Sequence, residues 1–334
     1  MTAVIAESAD PAGPTGPGTP TAPAAPGPTG RGRIVLARLL AARWAVVGVV
    51  VVLLLFLLAF GGGLVTPWDY ATPDYGALRQ PPSGTHWFGT NGVGQDVFAQ
   101  TIRGLQKSLV IGLLVALFST VLASLVGACA GYFGGWTDRL LMFLVDLMLV
   151  FPSFLVITIV SPRLKGAGWL AFVLLLALFN WMITARVVRS MTISLREREF
   201  VRAAQFMGVR PLRIIFRHIL PNVASFLIID ATIAVGGAVM SETALSYFGF
   251  GVKAPDVSLG TLLAAGTSEA PVFPWLFYFA AGLLVLFVLA VNLIGDGLRD
   301  ALDPTSEGAR RPRRSRTRAR ARARARATRK GTSA

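Results

Sequence analysis

Charged residues, cysteine and histidine are all scarce in this chain. Charged residues make up only 15% and hydrophobic residues 54%, and the mean hydropathy is +0.61, which excludes an ordinary soluble domain. The single cysteine, Cys129, cannot form an intrachain disulfide. The two histidines, His86 and His218, belong to no cluster with metal-ligand spacing, which argues against a metal-centred enzyme or a Ser/His/Asp hydrolase.

The sequence also lacks a phosphate-binding loop of the form GxxxxGK[ST]. Its Gly-rich pieces, Gly61–Gly63 and Gly92–Gly94, do not connect a strand to a helix. The chain is therefore not expected to hydrolyse ATP, and we expect no catalytic residue, metal site or cofactor in it.

Apolar residues are concentrated in six blocks. A helix needs about 20 apolar residues to cross a hydrocarbon core roughly 30 Å thick. The six blocks are 45–65, 108–130, 140–160, 168–185, 223–246 and 274–295. The first begins too far along the chain for a cleaved signal peptide. The sequence thus predicts an all-α membrane protein with six transmembrane helices.

Arginine residues predict the orientation by the positive-inside rule. They precede the first span, crowd the loop 189–221 and fill the end of the chain from Arg310 onward. Both termini are therefore expected in the cytoplasm, with His86 and His218 on opposite sides of the membrane. Arg163 and Lys165, in a short external turn, run against the rule.

Four segments follow from composition. Residues 1–30, rich in Pro, Ala, Gly and Thr, are predicted to be disordered. Residues 31–107 hold the first span and an external segment, and 108–304 hold the other five spans with the cytoplasmic loop. Residues 305–334 form an Arg-rich tail without aromatic residues, which favours contact with anionic membrane lipid over nucleic acid.

Three acidic residues fall in or near the predicted spans: Asp146, Asp230 and Glu242. Charge in hydrocarbon is costly, so such groups normally face a bundle interior or a water-filled path. A proton-coupled transporter would use them as relays, but they have no evident buried basic partners. Two interpretations stay open: the acids orient helices through hydrogen bonds, or, for Asp230 especially, contact substrate or a second subunit.

The cytoplasmic stretch 197–221 has the pattern of two short helices. The first places Phe200, Val201 and Ala204 on one face and ends at Gly208, which can adopt a left-handed conformation. The second starts at Pro211 and repeats apolar residues at i, i+3, i+4 and i+7, as in an amphipathic helix at the membrane surface. These repeats are Leu212, Ile215, Phe216 and Ile219. The pair can serve as an interfacial anchor or as a lever that docks on a partner, and the small residues Ala203 and Ala204 favour the lever.

The same stretch resembles a known family motif. Arg202-Ala203-Ala204 with Gly208, followed by His218-x-Leu220-Pro221, is similar to the EAA loop of ABC-importer permeases. In that family the loop is the coupling helix that docks on the ATPase subunit. Arg202 stands where the family usually has Glu, and Glu199 is the candidate to replace that polar contact.

Three further stretches resemble the dipeptide, oligopeptide and nickel permease group, and the likeness extends over about 34–304. They are His86–Asp96 followed by Ser108-Leu109, then Glu242–Gly251, then Asn292–Pro304. Asn91 and Gln95 stand where the family commonly has Asp and Arg.

The resemblance implies a type I ABC-importer permease bundle in a bacterial plasma membrane, forming half of a path for di- or oligopeptides. It also implies the partners: a second homologous permease, two ABC ATPase subunits and an extracytoplasmic solute-binding protein. Nickel or another metal chelate is the alternative cargo. Two other classes stay open, a proton-coupled secondary transporter and a membrane-tethered basic scaffold for nucleic acid.

Overall fold

The computed structural model describes residues 37–164 and 168–302. The predicted tails 1–30 and 305–334, and Lys165, lie outside these residues. Within the described ranges the chain is helical, with isolated bridges between Pro73 and Gln95 and between Thr90 and Asp96 but no extended strand. The chain is thus an all-helical protein in the part that is described, in agreement with the fold class predicted from hydropathy.

Eleven α-helices lie wholly within the described ranges and are numbered in chain order, and residues 37–41 are also helical. They are α1 Arg43–Gly61, α2 Val97–Phe133, α3 Gly135–Val150, α4 Ser153–Val160, α5 Gly168–Asn180, α6 Met182–Arg196, α7 Glu199–Phe206, α8 Pro211–Ile214, α9 Leu220–Tyr247, α10 Leu259–Thr267 and α11 Trp275–Leu302. A π-helical turn, Ile215–Ile219, joins α8 to α9, so that Pro211–Tyr247 forms one helix of 37 residues.

Four helices are long and apolar enough to cross a membrane: Arg43–Leu64, Val97–Phe133, Pro211–Tyr247 and Trp275–Leu302. Two further candidates are pairs of helices that meet at a break, α3 with α4 at 79° and α5 with α6 at 47°. The described residues therefore hold four spans, or up to six when each bent pair counts as one.

The third span predicted over 140–160 is not one continuous helix, since α3 and α4 meet there at 79°. Phe151 is extended (φ −78°, ψ 127°), and the chain resumes as a helix only after Pro152. Proline cannot donate to the helix ladder and forces the preceding residue out of the helical region, so the break falls where the sequence requires it.

Helix α2 begins earlier than the predicted span 108–130. The Asp96 side chain caps it by accepting a hydrogen bond from the Ala99 amide at 2.7 Å. Residues 97–107, predicted to be external, thus form its first three turns. Between the fifth and sixth predicted spans, residues 259–267 form α10.

The segment 66–96 folds back onto the start of α2 and onto the loop before α11. The Arg79 guanidinium pairs with Glu269 at 3.1 Å, and the Trp275 indole donates to the Thr90 carbonyl at 3.2 Å. His86 is buried, and its Nδ1 lies 2.8 Å from the Asp96 carboxylate. These contacts fix the external segment to the helix bundle.

Two glycines let α2 and α6 approach closely. A Cβ added to Gly127 would lie 2.5 Å from the Ala185 carbonyl oxygen, and one added to Gly131 would lie 2.6 Å from that of Arg189. This spacing of small residues is typical of tightly packed membrane helices. The contact places α6, and the short helix α7 that follows it, against the end of α2.

Candidate functional site

Helix α7 lies at one end of the bundle with one face packed and the other open. Val201 and Ala204 are buried in an apolar cluster with the start of the long helix Pro211–Tyr247. The other buried members of this cluster are Ala128, Tyr132, Val188, Ile214, Ile215, Ile219 and Val223. Of the two adjacent alanines, Ala204 therefore packs inward whereas Ala203 is exposed.

The outer surface of α7 ends in two exposed apolar side chains. Phe206 is 91% exposed and Met207 is 74% exposed, while Glu199 and Arg202 are also exposed. A large apolar pair is uncommon at such exposure unless a partner or lipid covers it. The sequence analysis missed this pair, although the two residues stand outside the stripe formed by Val201 and Ala204 and directly before the terminating glycine.

Gly208 ends the helix in the predicted left-handed conformation, with φ +72°. The Gly208 amide donates to the Gln205 carbonyl at 3.0 Å, and the Val209 amide donates to the Ala204 carbonyl at 3.1 Å. A side chain at Gly208 would meet no atom within 4 Å, so the requirement for glycine comes from the backbone angle alone.

The second helix predicted in this loop exists but is not separate. It begins at Pro211 and continues through the π-turn into α9, so it is the end of a span. Ile215 and Ile219 are buried whereas Leu212 and Phe216 are exposed, which divides the apolar face that was predicted to lie on the membrane surface.

The second half of the family motif, His218, Leu220 and Pro221, lies where the π-turn passes into α9. The His218 carbonyl accepts a hydrogen bond from the Asn222 side chain at 2.7 Å. Pro221 lacks an amide hydrogen and would disturb a regular α-helical ladder at this place, and the wider π-turn directly before it relieves that conflict.

Glu242 is fully buried at the other end of α9. It accepts hydrogen bonds from Ser108 Oγ at 2.8 Å and from Ser246 Oγ at 2.6 Å. Ser108 Oγ in turn accepts from the Leu259 amide at 3.2 Å, and Ser246 Oγ accepts from the Val252 amide at 3.0 Å. Glu242 thus ties α2, α9 and α10 together, and this geometry favours a helix-orienting role for it.

Asp146 has a basic partner, contrary to the expectation from sequence. Arg186 of α6 pairs with it, and both side chains are about half exposed (50% and 58%). A second pair, between Asp138 and Arg189, joins the same two helices through two guanidinium–carboxylate hydrogen bonds. Asp138 and Asp146 are thus held by arginines between α3 and α6. Because Arg186 is half exposed, the lack of a buried basic partner still argues against a proton relay through Asp146.

Asp230 lies apart from the other two acids. It accepts a hydrogen bond from Thr184 Oγ1 at 2.8 Å and lines a cavity of about 460 Å³ between α6, α9 and α11. The structure thus does not bring Asp146, Asp230 and Glu242 to one site. It does bring together the residues of the α7 loop and the start of the long helix.

Comparison with known proteins agrees with this architecture. Residues 119–307 match the family described as "Binding-protein-dependent transport system inner membrane component". Residues 30–82 match the "N-terminal TM domain of oligopeptide transport permease C".

The relatives that carry the name Oligopeptide transport system permease protein OppC include proteins from Mycobacterium tuberculosis and Bacillus subtilis. The chain is 56% identical to the one from Mycobacterium tuberculosis over 282 residues, which is 84% of this chain and 97% of the relative. It is 34% identical to the one from Bacillus subtilis over 260 residues, which is 78% of this chain and 85% of the relative. The chain therefore belongs to the binding-protein-dependent permeases of ABC importers, in the dipeptide, oligopeptide and nickel group.

Proposed function

We propose that this chain is one of two permease subunits of an ATP-driven importer for di- and oligopeptides. It crosses the bacterial plasma membrane six times, with both termini in the cytoplasm. A second homologous permease completes the path, two ABC ATPase subunits bind at the α7 end, and an extracytoplasmic binding protein delivers the peptide. The name shared by the mycobacterial and Bacillus relatives supports peptides as the cargo.

The observation that carries this proposal is the two-faced packing of α7. Its inner face is fixed by Val201 and Ala204, whereas Phe206 and Met207 present an exposed apolar tip at its end. A short helix held on one side and open on the other suits a docking element, because an aromatic residue and a methionine can fill a groove of a partner.

The long helix provides a route for the movement. Ile214, Ile215 and Ile219 pack directly against α7, and the same helix continues without interruption to Glu242 and Tyr247. A displacement of α7 would therefore move a rigid element that reaches the opposite end of the bundle. This arrangement suits alternating access, in which a bundle rocks between two open states.

The proposal is tested by reconstituting the chain with its second permease, ATPases and binding protein in proteoliposomes. Uptake of trialanine should require ATP on the side of the membrane that carries the ATPase subunits. It should persist when the proton gradient is collapsed. Uptake that survives without ATP but stops with the proton gradient would instead assign the chain to a secondary transporter.

A further inference from the structure

A cavity of about 460 Å³ opens between α6, α9 and α11 and holds two side chains of opposite charge. Asp230 of α9 is half-buried, whereas Arg299 of α11 is exposed at the rim. Its other lining residues are Met191, Ser225, Phe226, Ile229, Ile233 and Leu302. The volume is in the range of cavities that accept small molecules.

The contact between Ile233 and Gly295 locates the cavity along the bundle. A Cβ added to Gly295 would lie 2.7 Å from Ile233 Cγ1, so α9 and α11 touch there. Asp230 lies about one turn before Ile233 in α9, and Arg299 lies about one turn after Gly295 in α11. The two helices run in opposite directions. Both charges are therefore on the same side of the contact, towards the end of the bundle that carries α7.

Neither charge is neutralised by a neighbour. Across residues 37–164 and 168–302, neither Asp230 nor Arg299 forms an ion pair, and Asp230 has only the Thr184 hydroxyl as a donor. The arginines Arg186 and Arg189 of α6 are already bound to Asp146 and Asp138. Asp230 is half-buried in a candidate span and is therefore available to water or a ligand, because hydrocarbon strongly disfavours an unpaired charge.

The chemistry of the cavity fits a molecule with one positive and one negative end. An ammonium group would form an ion pair with the Asp230 carboxylate. A carboxylate would accept paired hydrogen bonds from the Arg299 guanidinium. A ligand with a single charge would leave one of the two side chains unmatched. Met191 and Phe226 supply apolar surface that can adapt to different side chains, since methionine has a flexible and polarizable chain.

We propose that this cavity binds the two charged termini of a short peptide on its way to the cytoplasm, with Asp230 holding the ammonium and Arg299 the carboxylate. This inference rests on the proposed importer function and adds the residues that recognise the peptide independently of its sequence.

The test uses the assembled, ATP-free complex in lipid nanodiscs without binding protein. Ligand-observed NMR measures the Kd of trialanine, N-acetyl-trialanine and trialanine amide. The Asp230→Asn variant should bind trialanine about tenfold more weakly than the wild type and should bind the acetylated form as the wild type does. The Arg299→Gln variant should show the same pattern with the amide.

Matched controls separate this role from a general effect of charge. Asp296→Asn and Arg139→Gln remove exposed charges outside the cavity and should leave all three Kd values unchanged. The charge-conserving variants Asp230→Glu and Arg299→Lys should keep most of the affinity, and co-purification of the ATPases reports assembly of each variant.

Three results would overturn the inference. They are no binding of trialanine to the wild-type complex, equal binding by wild type and variants, and equal losses for all three probes, which would assign the two residues to structure or gating. ATP-dependent uptake by the wild-type complex in any of these cases would leave the proposed importer function standing. Absence of ATP-dependent uptake would contradict both the peptide-binding inference and the proposed importer function.

Discussion

Ser108 and Glu242 are 134 residues apart in the chain, yet the Ser108 hydroxyl donates a 2.8 Å hydrogen bond to the Glu242 carboxylate inside the bundle. The same hydroxyl accepts from the amide of Leu259, the first residue of α10. One buried carboxylate and one serine thus connect two long helices with the short helix α10. A buried network of this kind is stabilising only while every member has its partner.

Replacing Glu242 with alanine should therefore destabilise the protein. The Ser108 and Ser246 hydroxyls would lose their acceptor while still buried, which costs about 1–3 kcal/mol. Unfolding in mixed micelles, followed by circular dichroism, measures the change. Glu199→Ala, at an exposed position, is the control and should change little. Equal stability of Glu242→Ala and wild type would show that the network carries no stability.

Gly208→Val should uncouple ATP hydrolysis from uptake. The position has φ +72°, and a side chain there costs about 1–2 kcal/mol and favours a different backbone path for the loop. Membrane insertion and ATP turnover should persist while trialanine uptake falls. Gly63→Val, in open space and without a left-handed angle, provides the control. Normal uptake by Gly208→Val would count against a lever in this loop.

The ion pair between Asp138 and Arg189 should show measurable coupling. Two guanidinium–carboxylate hydrogen bonds join α3 to α6, and such bidentate pairs are stronger than single contacts. A double-mutant cycle with Asp138→Asn and Arg189→Gln should give a coupling energy of about 0.5–3 kcal/mol in unfolding experiments. Additive effects of the two substitutions would mean that the pair contributes nothing.

Exchanging the apolar tip of α7 for polar residues should weaken assembly. In a Phe206→Ser, Met207→Ser variant, the exposed pair no longer offers an apolar surface, while the buried Val201 and Ala204 are untouched. We expect at least a tenfold loss of ATPase co-purification with unchanged thermal stability. Phe60→Ser, half exposed at the other end of the molecule, is the matched control. Unchanged co-purification of the double variant would locate the docking surface elsewhere.

The sequence was sufficient to predict the features that depend on local chemistry. Apolar runs located the segments of the candidate spans, because a helix in lipid must satisfy its backbone internally and present apolar side chains. Gly208 was predicted to be left-handed, since few other residues tolerate that angle at a helix end. The break at Pro152 and the cap at Asp96 were not predicted. Both have a local signal in the sequence, because proline interrupts a helix and aspartate is a favoured N-cap residue.

Features that depend on how helices meet could not be predicted from one sequence. The partners of Asp138 and Asp146 lie 51 and 40 positions away, and only the close approach of α2, α3 and α6 brings them together. The cavity lined by Asp230 and Arg299 likewise depends on how α6, α9 and α11 pack together, with α9 and α11 in contact at Gly295. The exposed state of Phe206 and Met207 depends on which face of α7 is buried.

The most direct test of the account replaces Phe206 with a photoreactive phenylalanine analogue in the assembled complex. Irradiation joins this side chain to whatever it touches, and mass spectrometry identifies the adduct. We predict a cross-link to the ATPase subunit whose yield changes when ATP is bound and hydrolysed. Adducts with lipid alone, in a complex that still transports peptide, would contradict the assignment of α7 as the coupling element.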